Sequence, residues 1–345
     1  MNFFRVHMKG FLAVLFIMGF ACWPALPPCQ AQVTVKVGSL VPDQSSWRDI
    51  LLEGFNKWNK LSGGKVRVPM PYWGTQGDDP DLVRKMRLGT LDAAVLTTVG
   101  LAEIDRSVYA LSVPMMYDDY DEVYAVLDKM RPRLESAMEA KGFVVLNWMD
   151  GGWTHFFTKK PVATPDDLKK LKLFQWQGDE KTLTIWSTAG FNPRPGNTSD
   201  LVTGLQTGMF EAFTSSSQVA LILRYYENAK NMTDLNWAVI LGATVIKKDV
   251  WNRIPADVKP AILNAENETA QKLRDAVRRG GVDDVLAMKK NGLNVVPVDK
   301  KTIDLWRATV EKAQSKIRGD FVPADAYDEA LKYRNEYRSQ KAAKK

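Results

Sequence analysis

Thiols and imidazoles are almost missing from this chain. Its 345 residues hold two cysteines, Cys22 and Cys29, and two histidines, His7 and His155. All but His155 lie in the first 31 residues. One histidine and no thiol cannot assemble the usual zinc ligand sets, so no metal and no cofactor is expected. A serine nucleophile needs a base within reach, and His155 is the only imidazole beyond residue 31. No Gly-x-Ser-x-Gly elbow surrounds Ser215-Ser216-Ser217, which leaves a secreted serine hydrolase as the weaker alternative. Phosphate-cradling loops are missing too, since Gly74-Thr75-Gln76-Gly77 lacks the lysine of a P-loop. There is no tandem repeat, no nucleic-acid motif, and no low-complexity segment beyond the last five residues.

Long apolar runs are equally scarce. Phe11 to Leu26 is the one candidate, and proline breaks it before it reaches a comfortable membrane span. Arg5 and Lys9 precede it, and Pro27-Pro28 and Gln30-Ala31-Gln32 follow. A basic start, an apolar segment and small residues describe a secretory signal peptide, with cleavage expected after Ala31. Cys22 as a lipid-modified residue fits less well, because Gly19 stands where a leucine is expected. Cleavage removes Arg5 and Lys9 and lowers the formal charge by two from +7. Much of the remaining excess lies in the terminal lysines, Lys341, Lys344 and Lys345, read as a solvated end rather than a nucleic-acid patch.

What is present is alternation. Val33 to Val37 reads as a strand, and Trp47, Leu51, Phe55 and Trp58 share one face of a helix capped by Ser45 or Ser46. Val66 to Met70 is a second strand. Asp79-Pro80 looks like a cap and first helical position, and Leu91 to Leu96 is a third strand. Strand, helix, strand, helix, strand implies an α/β domain on a mostly parallel sheet. Phe143 to Phe157 and Trp237 to Ile246 are long enough to cross between two such units. Thr164-Pro165-Asp166-Asp167 starts a short helix. Leu171 to Trp176 and Met209 to Phe213 are strands bracketing a helix capped near Ser199. Pro255 to Asn291 is helical, with a weak point at Gly280-Gly281. Two further helices are expected, around Ile303 to Ile317 and Ala324 to Tyr337. Two α/β units with two crossings describe a clamp, in which ligands sit at the strand carboxyl ends.

Tryptophan is over-supplied at turns and strand ends, at Trp73, Trp148, Trp153, Trp176 and Trp237. Together they suggest an aromatic-lined pocket with a few orienting polar groups.

The chain resembles the solute-binding proteins of TRAP (tripartite ATP-independent periplasmic) transporters. The segments that carry this are "VKVGSLVP", "GTQGDD", "RLGTLDAAVL", "VPMMYDDYDE", "KKPVATPDDLKKLKLF", "SDLVTGLQTGMFEAF" and "KKNGLNVVPVD", in that order. The resemblance implies an α/β fold of two lobes, a periplasmic-binding-protein clamp with crossing strands and a long spanning helix. The expected organisation is a signal peptide over 1–31, one lobe from 32–150 and 232–270, and a second from 151–231 and 271–325. Residues 326–345 form a C-terminal helix and basic tail. Implied partners are a small-molecule ligand and the TRAP membrane subunits. The sequence looks closer to a subgroup with an extra periplasmic helical-repeat protein and hydrophobic ligands.

The resemblance also implies an arginine clamp for a substrate carboxylate, and this chain departs from it. Phe174 stands at one arginine position and Thr154 at the other. Ser215 replaces an asparagine and Thr97 an acid. An arginine grips carboxylate bidentately, whereas phenylalanine offers only apolar surface. The expected site is therefore Trp73, Gln76, Thr97, Trp153, Thr154, Phe174, Gln175, Trp176, Phe213, Ser215 and Trp237, refitted for a neutral or apolar solute. Arg194 is included as the cation that would restore a displaced organic-acid site.

Overall fold

The computed structural model describes residues 32–177 and 179–343. The expected signal peptide, and Lys344-Lys345 of the basic tail, lie outside the described residues. No helix among the described residues is long and apolar enough to cross a membrane.

A ten-stranded sheet organises the chain. One flank holds Tyr72–Trp73, Val37–Ser39 and Ala93–Thr97, all parallel. The other holds Ala212–Ser216, Lys172–Trp176 and Asn192–Gly196, also parallel. Between them run two long strands, Phe143–Thr158 and Ala238–Lys247, antiparallel to each other and to the flanks they meet. The expected mostly parallel sheet therefore holds for each flank and fails at the centre. The reason is topological: a strand that leaves one lobe for the other and a strand that returns must run in opposite directions.

The first crossing strand changes partner along its length. From Phe143 to Thr154 it pairs with Ala238–Lys247, and from Thr154 to Thr158 with Ala212–Ser216. Its register slips near the middle, where Asp150 faces Leu241 and Trp153 faces Val239. Gly151 and Gly152 thus stand opposite the single residue Ile240, a β-bulge. Gly152 has φ +93°, a conformation open to glycine and costly for residues with a Cβ.

The opening strand is split. Val33–Thr34 pairs with Val66–Arg67 in a separate ribbon, and only Val37–Ser39 joins the main sheet. Lys36 lies at the break, donating its N–H to the Asp92 carboxylate at 2.9 Å. The helix Ser46–Leu61 is capped by Ser45, and Trp47, Leu51, Phe55 and Trp58 are buried as the spacing predicts. The helix Lys259–Lys290 runs unbroken through Gly280-Gly281 over 32 residues, about 48 Å at 1.5 Å per residue. Ile262 and Leu273 near its start pack in the core of the first flank, and Met288 near its end packs in that of the second. Tertiary packing along this length offsets the poor helix propensity of two glycines. A short helix, Lys248–Arg253, precedes it and is distinct from it. The segment from Ala313 to Ala326 joins the core built on Leu101, Val126 and Leu134.

One cap expectation is corrected. The helix Asp79–Arg87 begins after Asp78, which makes no side-chain cap bond. Asp79 is 2% exposed and points inward, for reasons that belong to the site.

Candidate functional site

The parallel strands of both flanks end on one cavity of about 390 Å³. Thr97 closes the strand Ala93–Thr97, Trp176 closes Lys172–Trp176, and Ser215 lies at the end of Ala212–Ser216. All three stand in the cavity wall, where open α/β sheets place ligands.

Of the twelve residues expected at the site, the cavity gathers Thr97, Thr154, Phe174, Gln175, Trp176, Phe213, Ser215 and Trp237. It does not gather the other four. Trp73 is buried on the edge strand of the first flank, among Val35, Trp47 and Phe55. Gln76 takes a hydrogen bond from Lys85 Nζ at 2.9 Å and lies outside the wall. Trp153 alternates away from Thr154 and packs against Tyr120, ring centroids 5.5 Å apart and planes tilted by 42°. Arg194 pairs in register with Phe174, but its side chain is exposed and is not part of the wall. Trp148, grouped with the strand-end tryptophans, is core, its indole donating to Glu135 at 2.9 Å.

The wall is built of aromatic edges and faces. Phe174 is 5% exposed and meets Trp176 at 5.6 Å and Phe210 at 5.0 Å, both edge to face. Trp176 is held by its indole N–H, which donates to Thr198 Oγ1 at 3.1 Å. Phe213 stacks on Phe157 at 5.3 Å. Trp237 stacks on Trp186 at 5.4 Å, and Trp186 meets Phe191 at 4.9 Å. Such pairs fix ring orientation beyond the area they bury.

Trp186 and Phe191 were not foreseen at the site. Trp186 rides the helix Glu180–Thr188, which starts at Asp179, an acceptor for the Thr182 N–H. That cap is the local signal that could have separated this helix from its neighbours.

The charged groups are few and of one sign. Among the described residues no arginine, lysine or histidine lines the cavity, whereas Asp78, Asp79, Asp150 and Asp179 do. Asp79 Oδ2 accepts from the Thr97 N–H at 3.0 Å, the Gly100 N–H at 3.3 Å and the Thr97 hydroxyl. Its Oδ1 has no partner among the described residues. Burial pushes its pKa up to about 6, against the pull of the Thr97 and Gly100 bonds. Gly100 permits this approach, because a Cβ there would lie 3.0 Å from the Asp79 carboxyl carbon. Asp150 is 1% exposed. Its Oδ2 accepts from the Tyr124 hydroxyl at 2.7 Å, and its Oδ1 has no hydrogen-bond partner among the described residues. Burial raises its pKa, against the pull of the Tyr124 bond, the Arg278 and Arg274 charges and the Gly152 N–H. Both arginines also have other contacts. Arg274 donates to the Trp148 carbonyl at 2.8 Å, and Arg278 sits 4.9 Å over the Tyr120 ring.

Hydrogen bonds also join the two flanks of the sheet beside the cavity. The Thr198 N–H donates to Asp78 Oδ2 at 3.4 Å, and Gln218 Nε2 reaches Ser46 Oγ at 3.5 Å. Ser215, the would-be nucleophile, shares a register pair with His155. His155 lies outside the wall, its Nδ1 3.0 Å from the Leu235 carbonyl and its pKa lowered by burial.

The family model described as bacterial extracellular solute-binding protein, family 7, matches residues 37–319. The 2,3-diketo-L-gulonate-binding periplasmic protein of Escherichia coli (strain K12) is 24% identical over 300 residues, covering 86% of this chain and 90% of that protein. Among solved structures, the sugar acid binding protein of Advenella mimigardefordensis in complex with galactonate superposes with TM-score 0.82 at 19% identity, over 89% of this chain and 99% of that one. The TRAP periplasmic solute-binding protein of Ralstonia eutropha H16 with bound (S)-2-acetolactate gives 0.81 at 19% identity, over 88% and 99%. The one from Shewanella oneidensis with bound succinate gives 0.80 at 19%, over 88% and 100%.

Proposed function

The chain belongs to the bacterial extracellular solute-binding proteins of family 7, and we propose that this member captures a small neutral or apolar solute lacking a carboxylate. It is a TRAP-type periplasmic receptor of two-lobed α/β fold, and receptors of this type bind a small ligand and work with membrane subunits. The proposed capture is binding without turnover, by closure of one jaw, 32–150 with 232–270, on another, 151–231 with 271–325. The crossing strands and the long helix form the hinge. The same reading includes a periplasmic helical-repeat partner, because the subgroup with that partner is the one associated with hydrophobic ligands.

The observation that carries the ligand class is that no cationic side chain among the described residues lines the cavity walled by Phe174, Trp176, Phe213 and Trp237. Similar structures hold galactonate, acetolactate and succinate, and at about a fifth identity that likeness carries the fold alone. A carboxylate buried here would lose its hydration with no cation to replace it, a cost of several kcal/mol. An apolar solute gains roughly 25 cal/mol for each Å² it buries.

The test is calorimetry of wild type and Phe174→Arg against succinate, galactonate and the solute recovered from the native protein. Wild type should bind the recovered solute and ignore the acids, and Phe174→Arg should weaken the first and admit the second. Tight binding of an acid by wild type, lost in Arg194→Ala, would mean that the cation has moved to the neighbouring strand. Small-angle scattering on the same samples reads closure. The radius of gyration should fall at saturation, and identical curves would argue against a clamp.

A further inference from the structure

The cavity has a polar end, and it is built to accept hydrogen bonds. Buried carboxylates normally use both oxygens, and a buried acceptor left unpaired carries its desolvation penalty uncompensated. Asp79 and Asp150 each leave Oδ1 unpaired while 2% and 1% exposed, and both stand in the cavity wall. Each is also held in place through its other oxygen, Asp79 by Thr97 and Gly100 and Asp150 by Tyr124. The two carboxyl groups are thus fixed with one acceptor apiece open. Core packing alone does not call for that arrangement, since an asparagine or a serine would fill the space without a charge to desolvate.

Resting only on the carboxylate-free part of the reading above, and widening its charge to include a cation, we propose that the solute carries a hydrogen-bond donor, a hydroxyl, an amide N–H or an ammonium group, which pairs with Asp79 and Asp150. The charge logic agrees with the geometry. Asp78 and Asp179 stand in the same wall, so a ligand oxyanion meets four carboxyl groups and, among the described residues, no cation in the wall, the Arg274 and Arg278 charges acting on Asp150 from outside it. An amine or alcohol meets acceptors that are already desolvated and oriented, and charge-assisted bonds of that kind are the stronger ones. The aromatic wall receives the rest of the molecule, and its faces also favour a cation. The solute is therefore amphipathic, an aromatic or alicyclic body with a donor head.

Four probes of one shape and different heads test this by calorimetry on the mature protein at pH 8, above the value of about 6 to which burial pushes Asp79. They are 2-phenylethylamine, 2-phenylethanol, 2-phenylethyl methyl ether and 3-phenylpropionate. The amine and the alcohol should bind about tenfold or more tighter than the ether, which accepts but cannot donate. Asp79→Asn or Asp150→Asn should cut the amine-to-ether ratio about fivefold or more. If the ether binds as well as the amine and the alcohol, the donor head is wrong and the carboxylate-free reading stands, because the ether has no carboxylate either. If both asparagine variants keep the wild-type ratio, the donor head is wrong as well. If 3-phenylpropionate binds tightest, both readings fall together.

Discussion

Glu266 shows how one side chain ties three elements. It lies fully buried on the long helix and accepts from the Trp58 indole at 2.8 Å and from Asn147 Nδ2 at 2.6 Å. Trp58 belongs to the helix Ser46–Leu61 and Asn147 to the first crossing strand. Burial pushes the Glu266 pKa up to about 7 from an ordinary 4.5. A folded-state pKa above the unfolded one means that the folded protein holds the proton more tightly. Its contribution to stability is then greatest below about pH 4.5 and falls as pH rises through about 7. Surface carboxylates lowered by lysine partners, such as Asp119 beside Lys341, have the opposite sign, but they cancel in a comparison of variants. Wild type should lose stability relative to Glu266→Gln between pH 5 and pH 8. Thermal melts of both proteins across that range check it, and a constant gap would show that Glu266 does not titrate there.

At the scale of elements, the packing of two helices depends on a missing side chain. Gly54 lies on Ser46–Leu61 where it crosses Lys259–Lys290, and a Cβ there would come within 2.4 Å of Thr269 Oγ1. Thr269 is itself buried, its hydroxyl donating to the Ala265 carbonyl at 2.7 Å. Gly54→Val should cost about 1–3 kcal/mol by overpacking, and Thr269→Ala in the same chain should recover part of it. Urea midpoints read this. A single variant as stable as wild type would mean that the helices separate freely.

The same elements divide what was legible from what was not. Both crossing strands, the Ser45 cap, the Thr164 capping box and the Trp47–Trp58 stripe are local patterns, readable from spacing. Thr97, Phe174, Trp176 and Ser215 could be placed at strand ends because strand ends follow from the same alternation. Asp79 could not be separated from a helix cap, since its true partners, Thr97 and Gly100, lie 18 and 21 residues on. Trp153 and Thr154 are adjacent in sequence, and only the bulge at Gly151-Gly152 decides which of them faces the cavity. Gly280-Gly281 looked like a break because propensity is local, while the packing that keeps the helix continuous is not.

At the scale of the whole molecule, one cavity sits where both flanks of the sheet end, between elements that the two crossing strands and one long helix hold together. Its wall is aromatic, its charge is acidic, and among the described residues no cation that would receive a carboxylate lines it. What the receptor carries therefore decides the matter. Mass spectrometry of the protein purified from its own periplasm, intact under native conditions and again after denaturation to release the ligand, measures that directly. The account predicts a bound species without a carboxylate, with an apolar body and a hydroxyl, amide or amine group. A released organic acid present in stoichiometric amount would contradict it.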